Sequence, residues 1–179
     1  MLNTIEQAAR IGSSIIQRSG VRLAILYLTD SDIQNYREAY TDPVVNSSDQ
    51  GDLSRRFSDV LVRERISRIA ASLKESAAPL FIAQLTYRTD RLNLAYQTGL
   101  IALAGATGGS ATISRSIAEI PSAIGDLLDR IQAHYSVRVA LPAKHPGKVS
   151  VTLESAEGVP LTYRSDHFVG GAGGNRTPE

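Results

Sequence analysis

Hydrophobic positions along this chain change period several times, and each change marks an element. Leu2, Ile5, Ala8, Ala9, Gly12, Ile15 and Ile16 recur at three- and four-residue steps. That spacing predicts a helix with one apolar face, stopped at Gly20. Residues 22–32 read Arg-Leu-Ala-Ile-Leu-Tyr-Leu-Thr-Asp-Ser-Asp, an almost unbroken apolar run ended by two carboxylates. A run without a polar face suits a strand of a parallel sheet covered on both sides. Residues 30–58 are polar, with Pro43, Gly51 and several Ser, Asn and Asp, and read as a long surface loop.

The helical period then returns with Val60, Ile66, Ile69, Ala70 and Leu73 inward, and Pro79 precedes a strand from Leu80 to Thr86. Asp90 stands where a cap is needed for a helix through Leu92, Leu94, Tyr96, Leu100 and Leu103, which Gly108 and Gly109 end. A short strand from Ser110 to Ser114 leads to a helix with Ile120, Ile124, Leu127, Leu128 and Ile131 inward. Ser116 and Glu119 have capping-box spacing, but proline is best tolerated in a first helical turn, so a short turn before Pro121 is favoured.

After His134 the period becomes two. Tyr135, Val137, Val139 and Leu141 alternate with other residues, as do Val149, Val151 and Leu153, then Leu161 and Tyr163. These predict antiparallel strands joined at His145-Pro146-Gly147 and near Gly158. Residues 170–179, with four glycines, read as a disordered tail. The expected fold is therefore α/β: a partial doubly wound parallel sheet of roughly three strands with flanking helices, plus a C-terminal antiparallel hairpin. The expected division is an α/β part over 1–142, its β extension over 143–169, and the tail.

Composition narrows the function more by exclusion than by indication. The 179 residues carry a net charge of +1 and are 42% hydrophobic, enough for one core and with no bias toward a polyanionic partner. Cysteine is absent, which removes disulfides, zinc-thiolate sites and thiol nucleophiles. No apolar stretch approaches the roughly 20 residues of a membrane span. Glu6 and Arg10 interrupt the N-terminal pattern, so it does not read as a secretory signal, and localisation is left unassigned.

Ligands in open α/β sheets bind beyond the carboxyl ends of the strands, which directs attention to Asp30 and Asp32. A strand-end aspartate also serves as a turn former or cap. Residues 105–110, Gly-Ala-Thr-Gly-Gly-Ser, follow a helix instead of preceding one and lack the Gly-Lys-Ser/Thr of a P-loop, so they read as a helix terminus. His134, His145 and His167 have no metal-ligand spacing, and no Gly-x-Ser-x-Gly elbow accompanies them. Arg55-Arg56 and Arg63-Glu64-Arg65 read as solvated faces. Tyr36 and Tyr40 in the long loop are candidate contacts, because aromatic side chains are enriched at binding hot spots.

Taken in order, a helix, a strand ending Leu-Thr-Asp, a loop, a helix, a strand, a helix with Leu103-Ala104-x-x-Thr107-Gly108-Gly109, a short strand and a helix running to Tyr135 make a pattern. It resembles the C-terminal half of a von Willebrand factor A domain, in particular the VWFA-related domains of bacterial proteins, where Arg-Ser as at Arg115-Ser116 and a final hairpin recur. The resemblance spans roughly residues 1–168 and lies in the order of short motifs. It implies a protein-interaction module of the metal-ion-dependent adhesion type, not an enzyme, whose relatives are often exported. In that family Mg²⁺ or another divalent cation is held by an Asp-x-Ser-x-Ser turn, a threonine and a later aspartate. The resemblance places the last on Asp30, after Thr29, with Ser31 in place of the usual glycine; Ser31 and Asp32 beside it, with Tyr36 and Tyr40 of the loop, are the candidate ligand contacts.

Asp-x-Ser-x-Ser does not occur in this chain. The expectation is accordingly half a domain, with an incomplete cation site, weak or no metal binding by the chain alone, and an exposed edge from Leu23 to Leu28 that invites pairing. Its partner would be a protein ligand or the missing N-terminal half. Two alternatives stay open: an α/β enzyme domain binding a nucleotide or phosphate at the same strand ends, and a gene fragment without independent activity.

Overall fold

A computed structural model describes residues 2–30, 59–73, 76, 78–133, 135, 137 and 147–169. Helix α1 (Leu2–Ser19) leads into strand β1 (Ile25–Thr29). Helix α2 (Asp59–Leu73), strand β2 (Leu80–Gln84), helix α3 (Arg91–Ala106) and strand β3 (Ala111–Ile113) follow. A 3-10 turn (Ile117–Glu119) enters helix α4 (Ile120–Gln132), and β4 (Gly147–Ser150) and β5 (Asp166–Val169) complete the described elements.

The three-stranded sheet has the order β1-β2-β3 and is parallel throughout. Ile25 stands opposite Leu80, and Ile82 opposite Ala111. Every residue of β2 is buried, as a central strand covered on both faces requires. Its alternation divides the core in two. Leu80 and Ile82 join Ile5 of α1, Ile66 and Ile69 of α2, and Tyr96, Leu100 and Leu103 of α3 on one face. Phe81 and Ala83 meet Leu127 of α4 on the other, flanked by Leu26, Ile124 and Ile131. The expected doubly wound α/β arrangement, with a separate antiparallel hairpin, is what the chain adopts.

Local chemistry accounts for the helix boundaries. Gly20, at φ +64°, ends α1 and donates its N–H to Ile16 O at 2.9 Å. Asp90 caps α3 twice, accepting from the Asn93 N–H at 3.1 Å and from Asn93 Nδ2 at 2.6 Å. Removing both contacts with Asp90→Ala is expected to cost about 1–2 kcal/mol in urea unfolding, near the upper end for a lost cap. A change below about 0.3 kcal/mol would show that the cap contributes nothing. Pro121 lies in the first turn of α4 behind the 3-10 turn, as its missing N–H dictates.

Three residues expected inward, and Leu94 of the helix expected after Asp90, are turned to solvent. Ile15, Val60, Leu94 and Leu128 are all exposed. On α2 the buried stripe is Val62, Ile66, Ile69 and Leu73, a four-three-four spacing that displaces Val60 to the opposite side. On α3 the stripe through Leu92, Tyr96, Leu100 and Leu103 leaves Leu94 half a turn away.

The hairpin also departs from the expected alternation. Its second strand is Asp166–Val169, with Lys148 opposite Phe168, not the segment at Leu161 and Tyr163. The intervening chain turns at Gly158, φ +71°, and the Leu153 N–H donates to Tyr163 Oη at 3.1 Å, so Tyr163 ties the loop instead of extending the ladder. Tyr135 and Val137 are exposed and belong to no strand. The Arg164 guanidinium donates to Ser76 O, fastening the hairpin to the segment that enters β2. The loop at 31–58, Val139, Leu141, the His145-Pro146 turn and the 170–179 tail lie outside the described residues. Among the described residues, no helix is long and apolar enough to cross a membrane.

Candidate functional site at the strand ends and the outer edge of β1

Three parallel strands bring their carboxyl ends to one side of the sheet. Thr29 closes β1, Gln84 closes β2, and Ser114 follows β3, all three buried. Two backbone bonds hold these ends level: the Leu85 N–H donates to Thr29 O at 2.7 Å and the Ser114 N–H to Gln84 O at 2.8 Å. Asp30, one residue past β1, is exposed. The carboxylate therefore stands at the rim where an α/β sheet offers a ligand site.

Around that rim the polar groups are largely structural. The Gln97 side chain closes the β2–α3 loop, accepting from the Arg88 N–H at 2.9 Å and donating to Arg88 O at 2.7 Å. The Arg115 N–H donates to Glu119 Oε2 at 2.7 Å, while its guanidinium lies 5.7 Å from the centre of the Tyr87 ring, a cation–π distance. Ser114 Oγ is buried without a hydrogen-bond partner among the described residues.

Among the described residues, no three His, Asp or Glu side chains group closely enough to hold a metal ion. Asp30 would offer one carboxylate and Thr29 one hydroxyl, whereas Mg²⁺ takes six oxygens in near-octahedral geometry. These two groups do not by themselves fit a divalent cation. Ser31, Asp32, Tyr36 and Tyr40, the other candidate contacts, lie outside the described residues. So do His134 and His145; His167 Nε2 is 2.9 Å from Arg164 O, a contact within the hairpin.

The outer edge of β1 has a chemistry that its sequence only partly announces. The Ile25 N–H donates to Pro79 O at 2.9 Å, and Thr29 O accepts from Leu85. Odd-numbered residues of β1 thus direct their backbone groups to β2. Alternation along the strand sends the N–H and C=O groups of Leu26 and Leu28 the other way, where no strand pairs with them among the described residues. Leu28 is 49% exposed, although it continues the row of the partly buried Leu26, which packs on the second core. Helix α1 lies over the strand, with Gly12 so close that a Cβ there would stand 3.0 Å from Leu23 Cδ2 and 3.3 Å from Ile25 Cδ1. Leu2, Ile5 and Ala9 of that helix belong to the core shared with α2, while Ile11 and Ile15 on its other flank are exposed, Ile11 at 62%.

Comparison with protein-family models, with curated proteins and with solved structures finds no match to this chain.

Proposed function

We propose that this chain is the C-terminal part of a von Willebrand factor A-type protein-interaction module, which engages another polypeptide through the open side of β1 and the strand ends around Asp30. One observation carries the reading: a strand with apolar side chains on both faces lies at the border of its sheet, with the backbone groups of Leu26 and Leu28 facing no described strand. A strand of that composition is normally interior, and an uncovered edge is a template for another chain. The parallel order β1-β2-β3 and the Thr107-Gly108-Gly109 entry into β3 agree with what the sequence resemblance implies. The cation site of such a module would draw on Asp30 together with donors from the covering segment, because the described residues supply too few.

The test is recovery of the reading frame upstream of residue 1 and co-expression of the segment it encodes. A segment carrying Asp-x-Ser-x-Ser is expected to bind the chain, to protect the Leu26 and Leu28 amides from exchange, and to give Mg²⁺ heats in calorimetry that Asp30→Ala abolishes. The chain alone is expected to give weak heats or none. An upstream frame without such a segment, together with equal Mg²⁺ heats for the chain and Asp30→Ala, would remove the reading.

A further inference from the structure

We infer that in isolation the open edge of β1 is taken by β1 of a second copy, running antiparallel about a two-fold axis through Leu26; the inference rests on the open-edge reading above. Leu26 and Leu28 direct their backbone groups outward, as Ala24 does by the same alternation, so a second strand must present even-numbered residues opposite even-numbered ones. With Leu26 opposite its own copy, apolar side chains meet apolar side chains from Ala24 to Leu28.

Charge selects among these registers. Arg22 and Asp30 flank the strand at its two ends, both exposed, and neither takes part in an ion pair among the described residues. With Leu26 opposite Leu26 of the second copy, Ala24 stands opposite Leu28, and Arg22 stands opposite Asp30 at both ends of the ladder. The neighbouring even registers lose this match, setting Gly20 or Ala24 against the carboxylate. The half-exposed Leu28 is covered by the second strand, and a continuous six-stranded sheet results from the two three-stranded halves. Isologous two-fold contacts of this kind close on themselves and stop at a dimer.

The chain contains no cysteine, so single cysteines report the register cleanly. Leu26→Cys should form an intermolecular disulfide on mild oxidation, because opposed residues of a hydrogen-bonded antiparallel pair lie about 5.5 Å apart at Cα. Ala24→Cys and Leu28→Cys should cross-link when mixed and far less when separate. In sedimentation velocity over a concentration series, wild type is expected to move from monomer to dimer. Arg22→Asp and Asp30→Arg should each weaken the dimer roughly tenfold or more by setting like charges opposite at both ends. The double variant, with the pair reversed, should recover wild-type association.

A wild type that stays monomeric throughout, or a double reversal no better than either single change, overturns self-pairing. Leu28→Pro separates that failure from failure of the open-edge reading, since it deletes an outward N–H without touching the bonds to β2. If wild type is monomeric yet Leu28→Pro still abolishes binding of the upstream-encoded segment, the edge is a docking site and only the second copy as its occupant is wrong.

Discussion

Gly109→Ala is expected to be the most damaging single-methyl addition among the described glycines. A Cβ at that position would stand 1.9 Å from Leu80 O, 2.6 Å from Leu80 C and 2.9 Å from Leu80 N. All three are backbone atoms at the start of the central strand, so no side-chain rotation relieves the overlap. Leu80 N is itself fixed by Thr107 Oγ1 at 2.9 Å, and Leu80 is held in register with Ile25. Shifting it would disturb β1 and α3 together. Overpacking of this severity should cost at least about 3 kcal/mol, a large share of the roughly 5–15 kcal/mol that keeps a domain folded. Urea unfolding followed by circular dichroism measures it. Gly105→Ala is the control: nothing lies within 4 Å of its Cβ, it sits within α3, and it should gain about 0.5–1 kcal/mol. Equal stabilities for the two variants would refute the close approach of Gly109 to β2.

Tyr96→Ala should produce the second large loss, about 3–5 kcal/mol, because Tyr96 is fully buried in the core that joins all three helices of its face to β2. Leu94→Ala, two residues earlier on the same helix, should change stability by less than about 0.5 kcal/mol, since Leu94 points to solvent. The contrast matters because the sequence offers both as apolar positions of one helix, and only the orientation of α3 separates them. A pair of similar losses would mean that α3 is rotated relative to the orientation described.

How far the fold was legible depended on the chemistry behind each signal. Asp90, Gly20, Pro121 and the paired glycines at 108 and 109 each satisfy or forbid one backbone group, a local matter, and each marks the boundary it was expected to mark. The apolar runs through Leu26 and Ile82 suited strands of a parallel sheet, because a short run with no polar face fits a strand covered on both sides. Helix faces were less legible: Val60 and Val62 are equivalent in type, and only the core shared with the neighbouring helices decides that Val62 is the buried one. The hairpin was misplaced for a similar reason. Leu161 and Tyr163 alternate like a strand, but Tyr163 uses its hydroxyl on Leu153 while Asp166–Val169 makes the ladder.

Of the candidate site, Asp30 at the strand-end rim was visible from the apolar run that precedes it. Its relation to Thr29, Gln84 and Ser114 was not, because parallel strands far apart in sequence bring those residues level. Thr107 shows the same limit. Its hydroxyl donates to Ala104 O at 2.8 Å and accepts from the Leu80 N–H, so a residue that reads as helix-end punctuation also fastens α3 to β2.

The proposed interaction requires the outer side of β1 to be open in the isolated chain. Residue-resolved amide exchange, carried out at a dilution where sedimentation shows only monomer, tests that directly. Alternating protection is expected: slow exchange at Tyr27 and Thr29, whose N–H groups face β2, and fast exchange at Leu26 and Leu28. Protection at Leu26 and Leu28 equal to that at Tyr27 in the dilute monomer would show that the chain covers its own edge and that no docking strand is on offer.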